Sequence, residues 1–222
     1  MKILVTGFTP FGGETVNPSW EAVRRLPDCI GDARLFKREI PTEFAASADA
    51  LRAAMAELHP DAVLCVGQYG GASCIRVERV AVNLRDARIA DNAGEKPVDE
   101  PVVPGAPDAY FATIPTRGIT EALRERGIPA QLSYSAGTFV CNSLLYAALH
   151  ACAQSRPAVC CGFLHVPFLP EQTRDGGAPS MNLELMVKAL EEEARRFRIS
   201  MTLTVELLIS GFFHRYYLLK IL

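Results

Sequence analysis

Apolar runs short enough to be strands alternate with helical patterns along nearly the whole chain, and this alternation limits the possible folds more than any other feature. Residues 3–6 read as a strand, 19–26 as a helix and 35–40 as a second strand. Residues 44–58 carry an Ala-rich helical pattern that stops before His59-Pro60. Residues 62–67 read as a short buried strand, and 74–84 as extended chain in which Ile75 and Val77 alternate with Arg76 and Glu78. The Pro-rich stretch 97–107 is a loop, followed by a helix over 117–126. A strand over 130–133 leads into a helix that holds Cys141 and runs to about Ala151. Residues 159–166 form another apolar strand, 167–179 a polar loop and 181–197 an amphipathic helix. The expectation is a single α/β domain over 1–222, with a mostly parallel sheet covered by helices on both faces. Sites in such sheets form beyond the carboxyl ends of the strands. The loops after Gly7, Gly67, Ser133 and His165 should therefore gather on one edge.

At 222 residues and 49% hydrophobic content, the chain can bury a sizeable core. Its formal net charge of -2 lacks the basic excess of a nucleic-acid footprint. The cluster Arg195-Arg196-Phe197-Arg198 reads as the solvated end of a helix, where cations suit the dipole. Seven cysteines without framework spacing, and an N-terminus that opens on a strand rather than a leader, point to free thiols in the cytoplasm. The segment 199–222 is unusually apolar, but Glu206, His214, Arg215 and Lys220 interrupt it, so it is no clean membrane span. A final strand or a subunit contact is expected there, with a membrane-associated tail as the minor alternative.

Chemistry points to Cys141. It lies where the small-residue turn Ser135-Ala136-Gly137-Thr138 runs into the apolar helix of Leu144, Leu145, Ala148 and Leu149. With Thr138 as N-cap, Cys141 falls in the first helical turn, among amides without intrahelical partners. The helix dipole favours a thiolate there, and an imidazole partner lowers its pKa further. Cys65, Cys160 and Cys161 sit inside strands and read as small buried hydrophobes. Cys29 is placed in a loop, Cys74 at a strand start and Cys152 near a helix end. Taken alone, Cys141 is either a nucleophile or a packed helix-start thiol. Of four histidines, His59 terminates a helix, His150 lies late in one and His214 falls in the tail. His165 ends an apolar strand at the expected active edge, which makes it the candidate base for Cys141. Glu78 suits the third role, holding the imidazole, but a strand glutamate usually faces solvent and spacing alone does not select it. Cys160-Cys161 with His165 lacks zinc-site spacing, and adjacent strand residues point to opposite faces. The glycines of Gly67-Gln68-Tyr69-Gly70-Gly71 match neither a P-loop nor a dinucleotide fingerprint.

Several motifs together resemble the pyroglutamyl peptidase I family, the pyrrolidone carboxyl peptidases. In chain order they begin with Thr6-Gly7-Phe8-Thr9-Pro10-Phe11-Gly12-Gly13, Asn17-Pro18-Ser19 and Gly67-Gln68-Tyr69-Gly70-Gly71. Next come Val77-Glu78-Arg79-Val80-Ala81-Val82-Asn83 and Asp86-Ala87-Arg88-Ile89-Ala90-Asp91-Asn92. The series closes with Ser135 to Asn142 and Gly162-Phe163-Leu164-His165-Val166-Pro167-Phe168-Leu169-Pro170. The resemblance spans residues 2 to about 197. It implies an α/β/α sandwich, no cofactor, and commonly a homotetramer. It also implies a Glu–Cys–His triad on Glu78, Cys141 and His165, with peptides bearing N-terminal pyroglutamate as substrates. The Cys141 N–H and the Arg88 side chain are the implied oxyanion donors. Phe8, Phe11, Phe139 and Val140 match the family's apolar clamp for the lactam ring, and Gln68 suits the ring's polar edge. Two departures stand out: Ala72-Ser73 replaces an expected basic residue, and Tyr69 replaces a small one. A cysteine amidohydrolase of other acyl specificity, or a non-catalytic binding protein on this scaffold, are the alternatives.

Overall fold

A computed structural model describes residues 1–155, 157–173 and 177–209, with 198–209 described by their backbone. In chain order the elements are β1 (Lys2–Phe8), α1 (Pro18–Arg24), β2 (Cys29–Ile30), β3 (Ala33–Ile40), α2 (Phe44–Leu58), β4 (Ala62–Gln68), β5 (Ile75–Glu78) and β6 (Val80–Val82). They continue with β7 (Ala109–Phe111), α3 (Thr116–Glu125), β8 (Ala130–Ser133), α4 (Val140–Gln154), β9 (Cys160–Val166), a 3-10 turn (Pro170–Thr173) and α5 (Leu183–Ile209). Among the described residues, seven strands form one sheet in the order β2-β3-β1-β4-β9-β5-β8, and β6 and β7 form a separate pair. β3, β1, β4 and β9 are mutually parallel, as expected for strands joined by helical crossovers.

The sheet separates two apolar clusters, because successive strand residues point to opposite faces. Ile3, Val5, Leu64, Val66, Leu164 and Val166 pack with residues of α1, α3 and α5. Leu4, Val63, Cys65, Cys161 and Phe163 pack with α2 and α4 on the other side. This is the three-layer sandwich, with α4 lying on the face that carries Phe163 and therefore His165 two residues on.

Several expectations need correction. The extended stretch 74–84 is two strands, not one. The chain breaks at Arg79, whose N–H donates to Ser133 O while its carbonyl accepts from Ala112, so β6 leaves the main sheet to pair with β7. Cys29 lies in the short strand β2, antiparallel to β3, rather than in a loop. β8 runs parallel to β5, which is itself antiparallel to β9. The loop after Ser133 therefore leaves toward the opposite edge from the loops after Gly67 and His165. Residues 134–139 must return across the sheet before α4 begins. The apolar tail is not a strand where it is described: α5 continues as helix to Ile209. Residues 210–222, including His214, lie outside the described residues. The arginine cluster is accordingly within α5 and not at its end. Phe197 is buried, and Arg195 and Arg196 bond back to Glu191 and Glu192 one turn earlier. Among the described residues, no helix is long and apolar enough to cross a membrane.

Candidate active site

Cys141 occupies the second position of α4, as the turn and apolar run predict. The N-cap, however, is Phe139, which has no side chain able to cap. Thr138 instead donates its hydroxyl to Asp86 O at 2.7 Å, and Asp86 N–H donates to Thr138 O at 3.1 Å. The helix start is pinned by its next residue. Asn142 is buried; its Nδ2 donates to Val82 O at 2.9 Å and to Leu84 O at 3.0 Å, and its Oδ1 accepts from Val82 N–H at 3.0 Å. These three bonds tie the first turn of α4 to β6 and to Leu84 just beyond it, and so fix the height of the sulfur.

Gly67 defines where the sulfur rests. It pairs in register with His165 across the β4–β9 ladder, so a side chain there would point to the same face as the imidazole. A Cβ at Gly67 would lie 2.8 Å from Cys141 Sγ and 2.7 Å from the Phe163 ring. The thiol thus fills the space that glycine leaves, one strand away from His165.

Glu78 completes the cluster. Strand β5 places it opposite Phe163 on the ladder with β9, and Arg76 opposite His165. Its side chain is wholly buried, contrary to the usual solvent-facing strand glutamate. His165 Nδ1 and Glu78 Oε1 are 2.9 Å apart. Nδ1 is thus engaged by the carboxylate, which leaves Nε2 as the ring nitrogen available for proton transfer. The imidazole is held between two rings, Phe163 at 4.7 Å and Tyr69 at 5.4 Å between centroids.

Burial pushes the Cys141 thiol up to about 12, and the negative charge of Glu78 pushes the same way. A hydrogen bond from its own backbone N–H opposes this and is the weaker influence. Desolvation and Glu78 together favour the thiol over the thiolate at this partly buried residue.

Cys141 and His165 line one cavity of about 400 Å³. Phe8, Phe11, Gln68, Arg88 and Phe139 line it too, which brings together all but two of the residues read from the sequence. The exceptions are Glu78, wholly buried and bonded to the His165 imidazole, and Val140, fully buried in the core cluster of α2 and α4, where it supports Phe139 and Cys141 from behind. The aromatic wall is braced: Phe139 lies 6.2 Å from Phe11 and meets Phe44 edge-on at 5.3 Å. Gln68 Oε1 accepts from Gln172 at 3.4 Å. Arg88 is exposed at the mouth, on a loop anchored by Asp91. Asp91 accepts from the N–H of Phe44 at the start of α2 and from those of Ala93 and Glu95. It supplies the cap that Glu43 does not.

Asn17, Thr42, Asp86 and Ile89 also line the cavity and escaped the sequence reading as site residues. Asn17 carried the best available signal, preceding Pro18-Ser19 as an N-cap: its Oδ1 accepts from Ser19, and its Nδ2 donates to Thr9 O. Among the described residues, no group of three or more His, Cys, Asp or Glu side chains could hold a metal ion.

A parallel α/β frame with a thiol at a helix start, a carboxylate-oriented imidazole and an apolar slot has the equipment for acyl transfer through sulfur. The comparisons narrow that class. The family model described as pyroglutamyl peptidase matches residues 1–196, and the chain belongs to that family. It is 53% identical over 191 residues to a pyrrolidone-carboxylate peptidase of Thermococcus onnurineus, covering 86% of this chain and 96% of that one. The crystal structure of Bacillus amyloliquefaciens pyroglutamyl peptidase I superposes with a TM-score of 0.85 at 48% identity, over 88% of this chain and 95% of the other. A mutant pyrrolidone carboxyl peptidase from Pyrococcus furiosus gives a TM-score of 0.88 at 43% identity, over 90% and 100%.

Proposed function

We propose that this chain removes N-terminal pyroglutamyl (5-oxoprolyl) residues from peptides, with Cys141 as nucleophile, His165 as base and acid, and Glu78 holding the imidazole. The observation that carries the assignment is the buried 2.9 Å Glu78–His165 bond at the wall of the cavity that Cys141 also lines. His165 Nε2 takes the proton from Cys141 Sγ as sulfur attacks the pyroglutamyl carbonyl carbon. Proton removal accompanies the attack and makes the imidazole a general base. The developing oxyanion is held by the Cys141 N–H and by Arg88, each such donor being worth roughly 2.7–4 kcal/mol. Collapse breaks the C–N bond while the imidazolium protonates the departing amine. Water, activated by the same imidazole, then hydrolyses the thioester.

Phe8, Phe11 and Phe139 offer the lactam an apolar slot, and Gln68 meets its polar edge. A free N-terminal ammonium would lose its hydration in that slot without a partner, so unblocked peptides are rejected. The same reading makes the chain a cytoplasmic single-domain homo-oligomer, with a tetramer favoured, that acts without cofactor or metal and engages neither nucleic acid nor membrane. The test is turnover of a pyroglutamyl chromogenic amide. Cys141→Ser and His165→Ala should each lower kcat by orders of magnitude. Full activity in either variant would refute the assignment. Alkylation at Cys141 with indifference to pyroglutamyl substrates would indicate a different acyl specificity, and no turnover of any amide would indicate a binding protein.

A further inference from the structure

One departure from the family pattern, Tyr69, lies against both Arg76 and His165. Arg76 lies on the same face of β5 as Glu78, two residues away, and pairs with His165 on the ladder. Its Nε is 3.5 Å from Glu78 Oε1, long for a hydrogen bond but within ion-pair range. Its Nη2 donates to Ser133 Oγ at 2.8 Å, and Ser133 is the ladder partner of Glu78 on β8. Its guanidinium carbon lies 4.3 Å from the centroid of the Tyr69 ring, which in turn meets the His165 ring at 5.4 Å. Tyr69 is fixed by its own N–H donating to Val166 O at 2.9 Å. Glu78 needs such a neighbour: its Oε2 is buried without a hydrogen-bond partner among the described residues. A buried carboxylate with one oxygen unmet is costly unless a cation stands near.

We infer that Arg76, stacked on Tyr69 and anchored to Ser133, is a positioning residue for the reaction: it offsets the buried negative charge of Glu78 and thereby holds His165 in its working orientation. The inference rests on the triad assignment above and deepens it. Arg76 touches neither the sulfur nor the slot, so its effect should fall on kcat and not on KM. The planar guanidinium matters, because lysine supplies the charge but cannot stack or fork between carboxylate and hydroxyl.

The experiment measures kcat, KM and melting temperature of Arg76→Met, Arg76→Lys and Tyr69→Leu on a pyroglutamyl chromogenic amide, beside Cys141→Ser. Arg76→Met should lower kcat about 100-fold, the size of loss that misplacement of a catalytic group produces, with KM within about twofold. Arg76→Lys should recover part of that loss, and Tyr69→Leu should cost about fivefold. If Arg76→Met does not fold, Arg76→Lys decides, since Tyr69 itself lines the cavity: a kcat equal to the parent's overturns the role of the planar guanidinium, and a partial loss with KM unchanged supports it. An unchanged kcat in folded Arg76→Met, with at most a lower melting temperature, overturns the positioning role while Cys141→Ser is inactive. If Cys141→Ser is itself fully active, the triad reading fails instead, so the two failures are distinct.

Discussion

Two carboxylates are buried on opposite faces of the sheet, and their fates differ. Glu78, on the face of α4, has an imidazole at 2.9 Å and a guanidinium at 3.5 Å. Glu193, on α5 on the other side, is equally buried, and its Oε2 has no hydrogen-bond partner among the described residues. Burial pushes Glu193 up to about 8, the negative charge of nearby Glu192 adds to this, and Arg196 offsets only part of it. Each leaves its Oε2 without a hydrogen-bond partner among the described residues, but Glu78 has an imidazole and a guanidinium beside it, whereas Glu193 is pushed toward its neutral form. Burial alone does not mark a functional carboxylate; the donors aimed at it do.

The comparison is easiest to break at Glu78. Glu78→Gln leaves a similar shape but no charge and can turn the imidazole to the wrong tautomer, so kcat should fall by about 10⁴-fold. The equivalent Glu193→Gln should leave kcat and KM unchanged. A large activity loss at Glu193, or none at Glu78, would erase the distinction.

Stability against pH tests the Glu193 half. Its folded state keeps the proton to about pH 8, while the unfolded chain releases it near 4.5. The folded protein therefore binds more protons across that window, and stability present below pH 4.5 declines as pH rises to 8. The loss from this one group should reach several kcal/mol, and Glu193→Gln should abolish it in urea titrations at pH 5 and 8. Identical pH slopes in the two proteins would show that Glu193 ionises freely.

Alkylation sharpens the account of the sulfur. With the thiol near 12, iodoacetamide modification of Cys141 should rise about tenfold per pH unit from 7 to 9, since only thiolate reacts. A plateau below pH 6, followed by peptide mapping to separate exposed Cys29, would instead reveal a preformed ion pair. The smallest effect is expected at Val140. Val140→Ala should lower stability by about 1–3 kcal/mol and leave KM for the pyroglutamyl amide unchanged, because the side chain packs in the core. A raised KM at constant stability would return it to the slot.

Local pattern revealed the parallel frame and the helix start at Cys141, because alternation and apolar periodicity are properties of neighbouring residues. It failed where distant pairing decides. β6 and β7 exist because each has the other, β8 takes its direction from β5, and neither relation is written in the strands themselves. Elimination reached Cys141 and His165; Glu78 needed the family resemblance, since nothing in its own strand announces burial. The alternation of Arg76 and Glu78 did place both on one face, and that was the available sign of their contact. The desolvation of the sulfur was hidden for the same reason as the strand pairing. The helix start is local and visible, whereas the desolvating walls come from β4, β9 and β5.

The bare backbone at Gly67 has a consequence for how this protein can change. Even alanine there would put a methyl carbon 2.8 Å from the sulfur and nearer still to an aromatic ring that is itself locked in the core. No rotamer relieves a clash made at Cβ, so an added carbon must push the thiol, the ring or the strand. Loops around the cavity mouth are free to drift and retune which peptides enter, but the chain cannot vary this position without surrendering the place where its sulfur sits.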